Sequence, residues 1–201
     1  MRRKALYGEK MAMEIRDALE AYRPFNEQEE RDRSEILRAM DAREDIFLRS
    51  CMLMHMTASA WIVNARRDRA LMAWHNIYRA WSWLGGHADG ERDLLSVALR
   101  EAREESGLAR VRPVDGKIFS VEILTVDGHE KRGAYVPSHL HLNVTYLLEG
   151  DERDALSAKP DENSGVRWFA LDEAVAASDE IWMRARIYEK LNQKLRAGKG
   201  V

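Results

Sequence analysis

The chain has one cysteine, Cys51, in 201 residues, so it can close no intrachain disulfide and build no thiolate zinc cluster. That cysteine follows a polar stretch and precedes Met52, Leu53 and Met54, a setting for a buried, inert thiol rather than a nucleophile. Net charge is equally scarce. The 32 basic and 34 acidic side chains leave −2, which argues against a strongly basic nucleic-acid surface but leaves room for basic groups around a phosphate pocket. No apolar run approaches membrane-spanning length, and Met1-Arg2-Arg3-Lys4 is followed by no signal-like apolar core. A cytoplasmic protein without a membrane partner is therefore expected. Internal repeats and low-complexity segments are missing too. A hydrophobic fraction of 45% is enough for a real core.

Periodicity divides the chain into an expected helical extension over 1–46 and a domain over 47–201. Met11, Ile15, Leu19 and Tyr22 recur at helical spacing until Pro24 breaks the pattern. Asn26 can cap a second helix, with Glu27, Glu29 and Glu30 in its first turn and Ile36, Leu37 and Met40 on its apolar side. This pair either packs on the rest of the chain or contributes to a homodimer interface. Residues 58–63 and 70–74 read as strands around a turn at 64–68, and 118–126 and 140–148 as two more. Residues 128–137 form a polar loop or hairpin tip between the latter two. A short strand over 166–171 leads into a helix starting at Asp172. Residues 180–196 form a last amphipathic helix, with Ile181, Met183, Ile187, Leu191 and Leu195 inward. Strands before and after one acidic helix, with further helices at the end, imply an α/β fold with a mixed sheet and helices on both faces.

The most informative stretch runs from Gly85 to Leu108. Two glycines and a polar turn ending at Gly90 precede a helix whose Leu94, Leu95, Ala98, Leu99 and Ala102 can bury one side. Gly107 stands where helices commonly stop in a left-handed residue. Glu101, Glu104 and Glu105 fall at spacings that place all three on one helical face. Like charges repel there unless a cation lies between them, and a hard divalent ion with oxygen ligands fits that need. An acidic helical stretch by itself is more often a solvated face; the flanking glycine turn and buried side raise it to a candidate site.

These residues resemble the signature of the Nudix hydrolases, G-x5-E-x7-R-E-U-x-E-E-x-G-U, in which U is aliphatic. Gly86 matches its first glycine, Arg100-Glu101 its central pair, Ala102 a U position, Glu104-Glu105 the acidic pair and Gly107-Leu108 its end. The motif is long and specific. One position departs: Arg92 stands where the pattern has glutamate, between Glu91 and Asp93. In the family that glutamate mainly supports the loop, so an intact fold with a shifted loop is expected. The resemblance implies an α/β/α sandwich with a mixed sheet, and hydrolysis of a small-molecule diphosphate, nucleotide-like or another organic diphosphate, with Mg2+ or Mn2+.

The same resemblance assigns roles. Glu101, Glu104 and Glu105 would hold the metal, Gly85 would lend its carbonyl, and Arg100 would orient the carboxylates. Many relatives place a further glutamate, as ligand or base, in the loop before a tryptophan such as Trp168. Glu162 has that placement, with Asp161 its near rival. His139, His141, Asn143 and Thr145 alternate on one strand face. A two-histidine metal site and an ordinary hydrogen-bonded sheet face are both open there, and His87 in the motif loop is either a phosphate contact or a turn residue. Trp81, Trp83 and Tyr78 could stack on a base or simply wall the core. A non-catalytic ligand-sensing or assembly domain is the rival reading, motivated by Arg92. An isomerase of the isopentenyl-diphosphate type fits poorly, because Cys51 lacks the context that such an active-site cysteine requires.

Overall fold

Asn64 turns the chain between the first two strands. Its side-chain oxygen accepts the N–H groups of Asp68 (3.0 Å) and Arg69 (3.2 Å), and Arg67 adopts φ +56° to complete the turn. The flanking strands, β1 (Met54–Val63) and β2 (Arg69–His75), pair antiparallel with Val63 opposite Ala70. The computed structural model describes residues 15–131 and 133–198. The remaining strands are β3 (Ala80–Ser82), β4 (Leu84–His87), β5 (Val111–Val126), β6 (His129–Lys131), β7 (Ala134–Val136), β8 (His139–Gly150) and β9 (Asn163–Ala170). Seven of them form one sheet with the path β3-β2-β1-β8-β5, with β4 joined to β1 and β9 to β2. This is the mixed α/β class that the order of elements implies.

Several boundaries differ from the sequence-based expectation for physical reasons. β1 starts at Met54 rather than at 58, because His55 and Thr57 are polar yet buried and so hide the strand from a hydropathy reading. β5 starts at Val111 rather than 118. It ends the sheet path, and an edge strand tolerates Pro113 and Gly116. The polar stretch between β5 and β8 is a hairpin, β6 pairing with β7.

Residues 15–21 are helical (α1), with Ile15 and Leu19 buried; Met11, expected on the same face, lies outside the described residues. Helix α2 (Glu27–Ala42) is capped as expected, the Asn26 side chain accepting the Glu29 N–H at 3.0 Å. Gln28 donates to the Val121 carbonyl (3.4 Å) and Asp32 accepts the Ile123 N–H (3.0 Å), so α2 packs on β5 of its own chain. Glu29 is fully buried and accepts from the Tyr22 hydroxyl (2.6 Å), the Phe25 N–H (2.7 Å) and the Ser120 hydroxyl (2.7 Å). Ser120 Oγ also lies within hydrogen-bond reach of Glu122, whose other oxygen accepts from Asn143 and Thr145. Burial and the Glu29 charge hold the Tyr22 hydroxyl above its ordinary pKa.

Helix α3 (Leu94–Ser106) buries Leu94, Val97, Ala98 and Ala102, with Leu95 and Leu99 only partly covered. Asp93 caps it: its carboxylate accepts the Ser96 N–H at 3.2 Å and its carbonyl the Val97 N–H at 3.1 Å. Gly107 ends it at φ +71°. Helix α4 (Leu171–Ala177) precedes a π-helical segment, Met183–Tyr188, that runs into α5 (Glu189–Gly198). Ile187, Leu191 and Leu195 are buried as expected, but Ile181 is 80% exposed. The wide turn, marked by the Glu189 N–H bonding the Arg184 carbonyl five residues back, inserts one residue into the helical period. Everything before it is rotated off the buried face. Tyr188 then stacks on Trp61 (5.6 Å between ring centroids) and meets Trp83 edge-on.

The residues form two compact units. Among the described residues, one takes those up to Ala58 with Gly86–Val97 and Lys117–Thr145; the other takes Ser59–Gly85, Ala98–Gly116 and those from Tyr146 on.

Candidate active site

Within the second unit, the last two turns of α3 and the loop before β9 are fastened together. Asn163, buried, donates its side-chain N–H to the Glu105 carbonyl (3.0 Å) and accepts the Lys159 N–H on its side-chain oxygen (3.1 Å). The Ser157 N–H bonds the Ser106 carbonyl at 2.9 Å, and the Asn76 N–H the Glu162 carbonyl at 3.0 Å. The Asn163 and Ser157 bonds satisfy carbonyls at the end of α3 that an unassisted terminus would leave open. They also bring Glu162 beside α3.

The result is a group of three carboxylates. One oxygen from each of Glu101, Glu105 and Glu162 lies within 4.8 Å of the others. Asp161, the rival of Glu162, is exposed and outside this group. Glu105 is 8% exposed and accepts the Gly85 N–H at 3.4 Å. Burial first, then the nearby charges of Glu101 and Glu162, hold its carboxyl well above the usual range. Burial also raises Glu101, against the opposing pull of Arg100, whose guanidinium donates to Glu101 at 2.9 and 3.3 Å. Arg100 and Glu101 thus form an ion pair beside the cluster.

Glu104 is turned to solvent and sits apart from the three. Lys159 reaches it at 3.1 Å and Glu162 at 3.3 Å, serving as a built-in cation at the rim of the cluster. Burial lowers the Lys159 pKa, but the two acids more than offset this and leave it raised. Sequence reading missed Lys159: a lone lysine next to Pro160 carries no motif, and only the fold brings it to α3.

The departure at Arg92 has a local explanation in the first unit. Arg92 lies over the Phe47 ring at 4.8 Å, a cation–π contact. Glu91 folds its carboxylate onto the N–H groups of Arg92 (2.8 Å) and Asp93 (2.9 Å), and Gly90, at φ +88°, bonds the Phe47 carbonyl at 2.8 Å. The acids on either side hold the loop.

The aromatic candidates are engaged in packing. Trp81 meets Trp74 and Phe169 edge-on at 5.7 and 5.0 Å, and Trp83 rests on Tyr188. Tyr78 lies 4.4 Å from the His75 ring with almost half of its surface exposed. Cys51 is fully buried with a free thiol, as expected. His139 and His141 are joined by His55 and His87 into one cluster in the first unit. Among the described residues, no helix is long and apolar enough to cross a membrane.

The family model for the NUDIX domain matches residues 53–191. The asymmetrical bis(5'-nucleosyl)-tetraphosphatase of Rattus norvegicus is 31% identical over 111 residues, which cover 54% of this chain and 68% of that protein. Among solved structures, the Ap4A hydrolase of C. elegans in a binary complex superposes with a TM-score of 0.52 at 19% identity, over 72% of this chain and 97% of that one. A NUDIX-family hydrolase of Clostridium perfringens gives 0.48 at 22% identity, over 71% and 97%. The chain belongs to the NUDIX family, and it is a pyrophosphate hydrolase of that family.

Proposed function

We propose that the chain is a divalent-metal-dependent hydrolase that cleaves a phosphoanhydride in a nucleoside diphosphate-linked or related organic diphosphate by attack of water at phosphorus. The observation that carries this reading is the gathering of Glu101, Glu105 and Glu162 within 4.8 Å around a partly buried point. Without a cation, burial and mutual repulsion favour protonating such a group, which is the direction found for Glu101 and Glu105. An all-oxygen donor set of this charge fits Mg2+ or Mn2+. When bound, that ion would neutralise phosphate oxygens and lower the pKa of a coordinated water.

The chain's own residues divide the remaining work. Glu101, Glu105 and Glu162 would hold the ion, with the Gly85 carbonyl as a further donor. Glu104 would join them on losing Lys159, an exposed ion pair worth only about 0–1 kcal/mol. The freed ammonium then stands where a substrate phosphate can meet it. Arg100 fixes Glu101, and Glu162 or Glu104 can accept a proton from the attacking water. Residues 47–201 form the catalytic domain and 1–46 its helical extension, the protein acting in the cytoplasm and able to associate as a homodimer. A nucleotide-like substrate is supported by the 31% identity to the rat tetraphosphatase.

Product release from a panel of dinucleoside polyphosphates, nucleotide sugars, oxidised nucleoside triphosphates and non-nucleotide diphosphates, with Mg2+ or Mn2+, tests this reading. Glu105→Gln is expected to abolish turnover with the fold intact, and Glu104→Gln to lower it. Turnover surviving in Glu105→Gln would overturn the site.

A further inference from the structure

Four of the six histidines converge away from the carboxylates. His55 lies on β1, His87 on β4, and His139 and His141 on β8, strands that adjoin in the sheet path. One ring nitrogen from each lies within 4.8 Å of the others. Ring centroids are 5.0 Å apart for His55–His87 and His55–His139, 5.1 Å for His55–His141 and 4.8 Å for His87–His141.

The hydrogen bonds orient these rings as ligands. His55 donates Nδ1–H to the Cys51 carbonyl at 3.1 Å, and His139 donates Nδ1–H to the Pro137 carbonyl at 2.8 Å. Each of these bonds fixes the tautomer in which Nε2 carries a lone pair, the outer-sphere arrangement found behind metal-ligating histidines. His139 Nε2 faces His141 Nε2 at 3.1 Å, a bond held by one proton that a metal ion would replace. His55 is only 4% exposed, and its Nε2 has no hydrogen-bond partner. A buried ring nitrogen left unpaired beside three others is costly in a purely structural cluster.

We propose that His55, His87, His139 and His141 form a binding site for a borderline transition-metal ion, Zn2+ foremost, with four imidazole donors. Tetrahedral Zn–N bonds of about 2.0–2.1 Å would set the nitrogens roughly 3.3 Å apart, a contraction that small side-chain rotations supply. The nitrogen donors select against the hard ions that suit the carboxylate group. One ion would tie β1, β4 and β8 together through their side chains.

The test uses the full-length chain, stripped with a chelator and returned to excess Mg2+ to occupy the carboxylates. Titration with Co2+ is expected to give one ion per chain with the visible absorption of a four-coordinate nitrogen site, displaced by Zn2+. His87→Ala and His141→Asn should each weaken that binding at least about tenfold, while Glu105→Gln retains it. His87 is only half-buried, so His87→Ala is the variant least exposed to folding failure, checked by circular dichroism. Zn2+ should raise the thermal midpoint of the wild type but not of His87→Ala. Lack of the Co2+ absorption in the wild type, its survival in both histidine variants, or its loss in Glu105→Gln would overturn the proposal.

Discussion

Replacing Gly107 with alanine tests how the end of α3 is held. The residue sits at φ +71°, and an L side chain in the left-handed region costs about 1–2 kcal/mol. A Cβ there would also collide with Ser157, lying 3.0 Å from its backbone nitrogen and 3.2 Å from its Cβ, with the hydroxyl closer still. The hydroxyl can rotate away. The backbone cannot, because its N–H is committed to the Ser106 carbonyl. Overpacking of that kind adds about 1 kcal/mol or more, for a total near 3 kcal/mol. For a chain of this size the thermal midpoint should fall by roughly 6–12 °C. Gly107→Asn separates the two parts, since asparagine tolerates the left-handed region but still carries a Cβ. It should lose about 1 kcal/mol less than alanine. Ser157→Ala alone should be nearly neutral, and combined with Gly107→Ala should recover less than half of the loss. The segment from Ser157 to Asn163 carries Glu162, so kcat should also drop in Gly107→Ala at temperatures where it stays folded. A Gly107→Ala midpoint within 1 °C of wild type, on the order of the melting-assay error, would refute this reasoning.

Three other perturbations follow from the same geometry. Lys159→Met removes the built-in cation beside Glu104 and Glu162, so calorimetric Mn2+ affinity should tighten roughly fivefold, about 1 kcal/mol; weaker binding would show that Lys159 does not compete. Glu29→Ala strips three donors of their buried acceptor and should cost about 3 kcal/mol or more in urea denaturation, whereas Glu29→Gln should cost about 1 kcal/mol or less. Equal losses would mean that packing, not hydrogen bonding, dominates there. Burial raises the Glu180 carboxyl in the folded protein, so its contribution to stability is fully present below the unfolded value and is lost as pH rises through the folded one. Glu180→Gln should therefore melt higher than wild type at pH 7, with the difference vanishing below about pH 4; a difference that persists in acid would contradict the assignment.

The motif helix was legible because its signals agree: a glycine at each end, apolar residues at helical spacing and carboxylates on one face. Glu162 was suggested only by its distance from Trp168, since nothing local separates it from Asp161; strand pairing and loop bonds, invisible in the sequence, are what set Glu162 within 4.8 Å of Glu101 and Glu105. The histidine cluster was half visible. His139 and His141 alternate on one strand, but His55 lies in a segment whose polar residues obscured the start of β1, and His87 meets the others only through strand pairing. Ile181 misled for the opposite reason. Its spacing fits an α-helix, and a single added residue in the π-turn shifts the frame without leaving a mark in the hydrophobic pattern. Glu29 looks like any first-turn acid until Tyr22, Phe25 and Ser120 close over it.

Arg92 shows how a signature can outlive one of its letters. What that position supplies is a loop held taut between β4 and α3, and here the tension is distributed: Glu91 on two main-chain N–H groups, Asp93 on the helix start, and an aromatic ring under the intruding guanidinium. A pattern search that insists on glutamate at 92 would pass over this chain, whereas one that asks whether any acid within a residue of it can reach the same amides would keep it. The unit of inheritance at such a turn is the set of bonds, and neighbouring residues can trade shares in it.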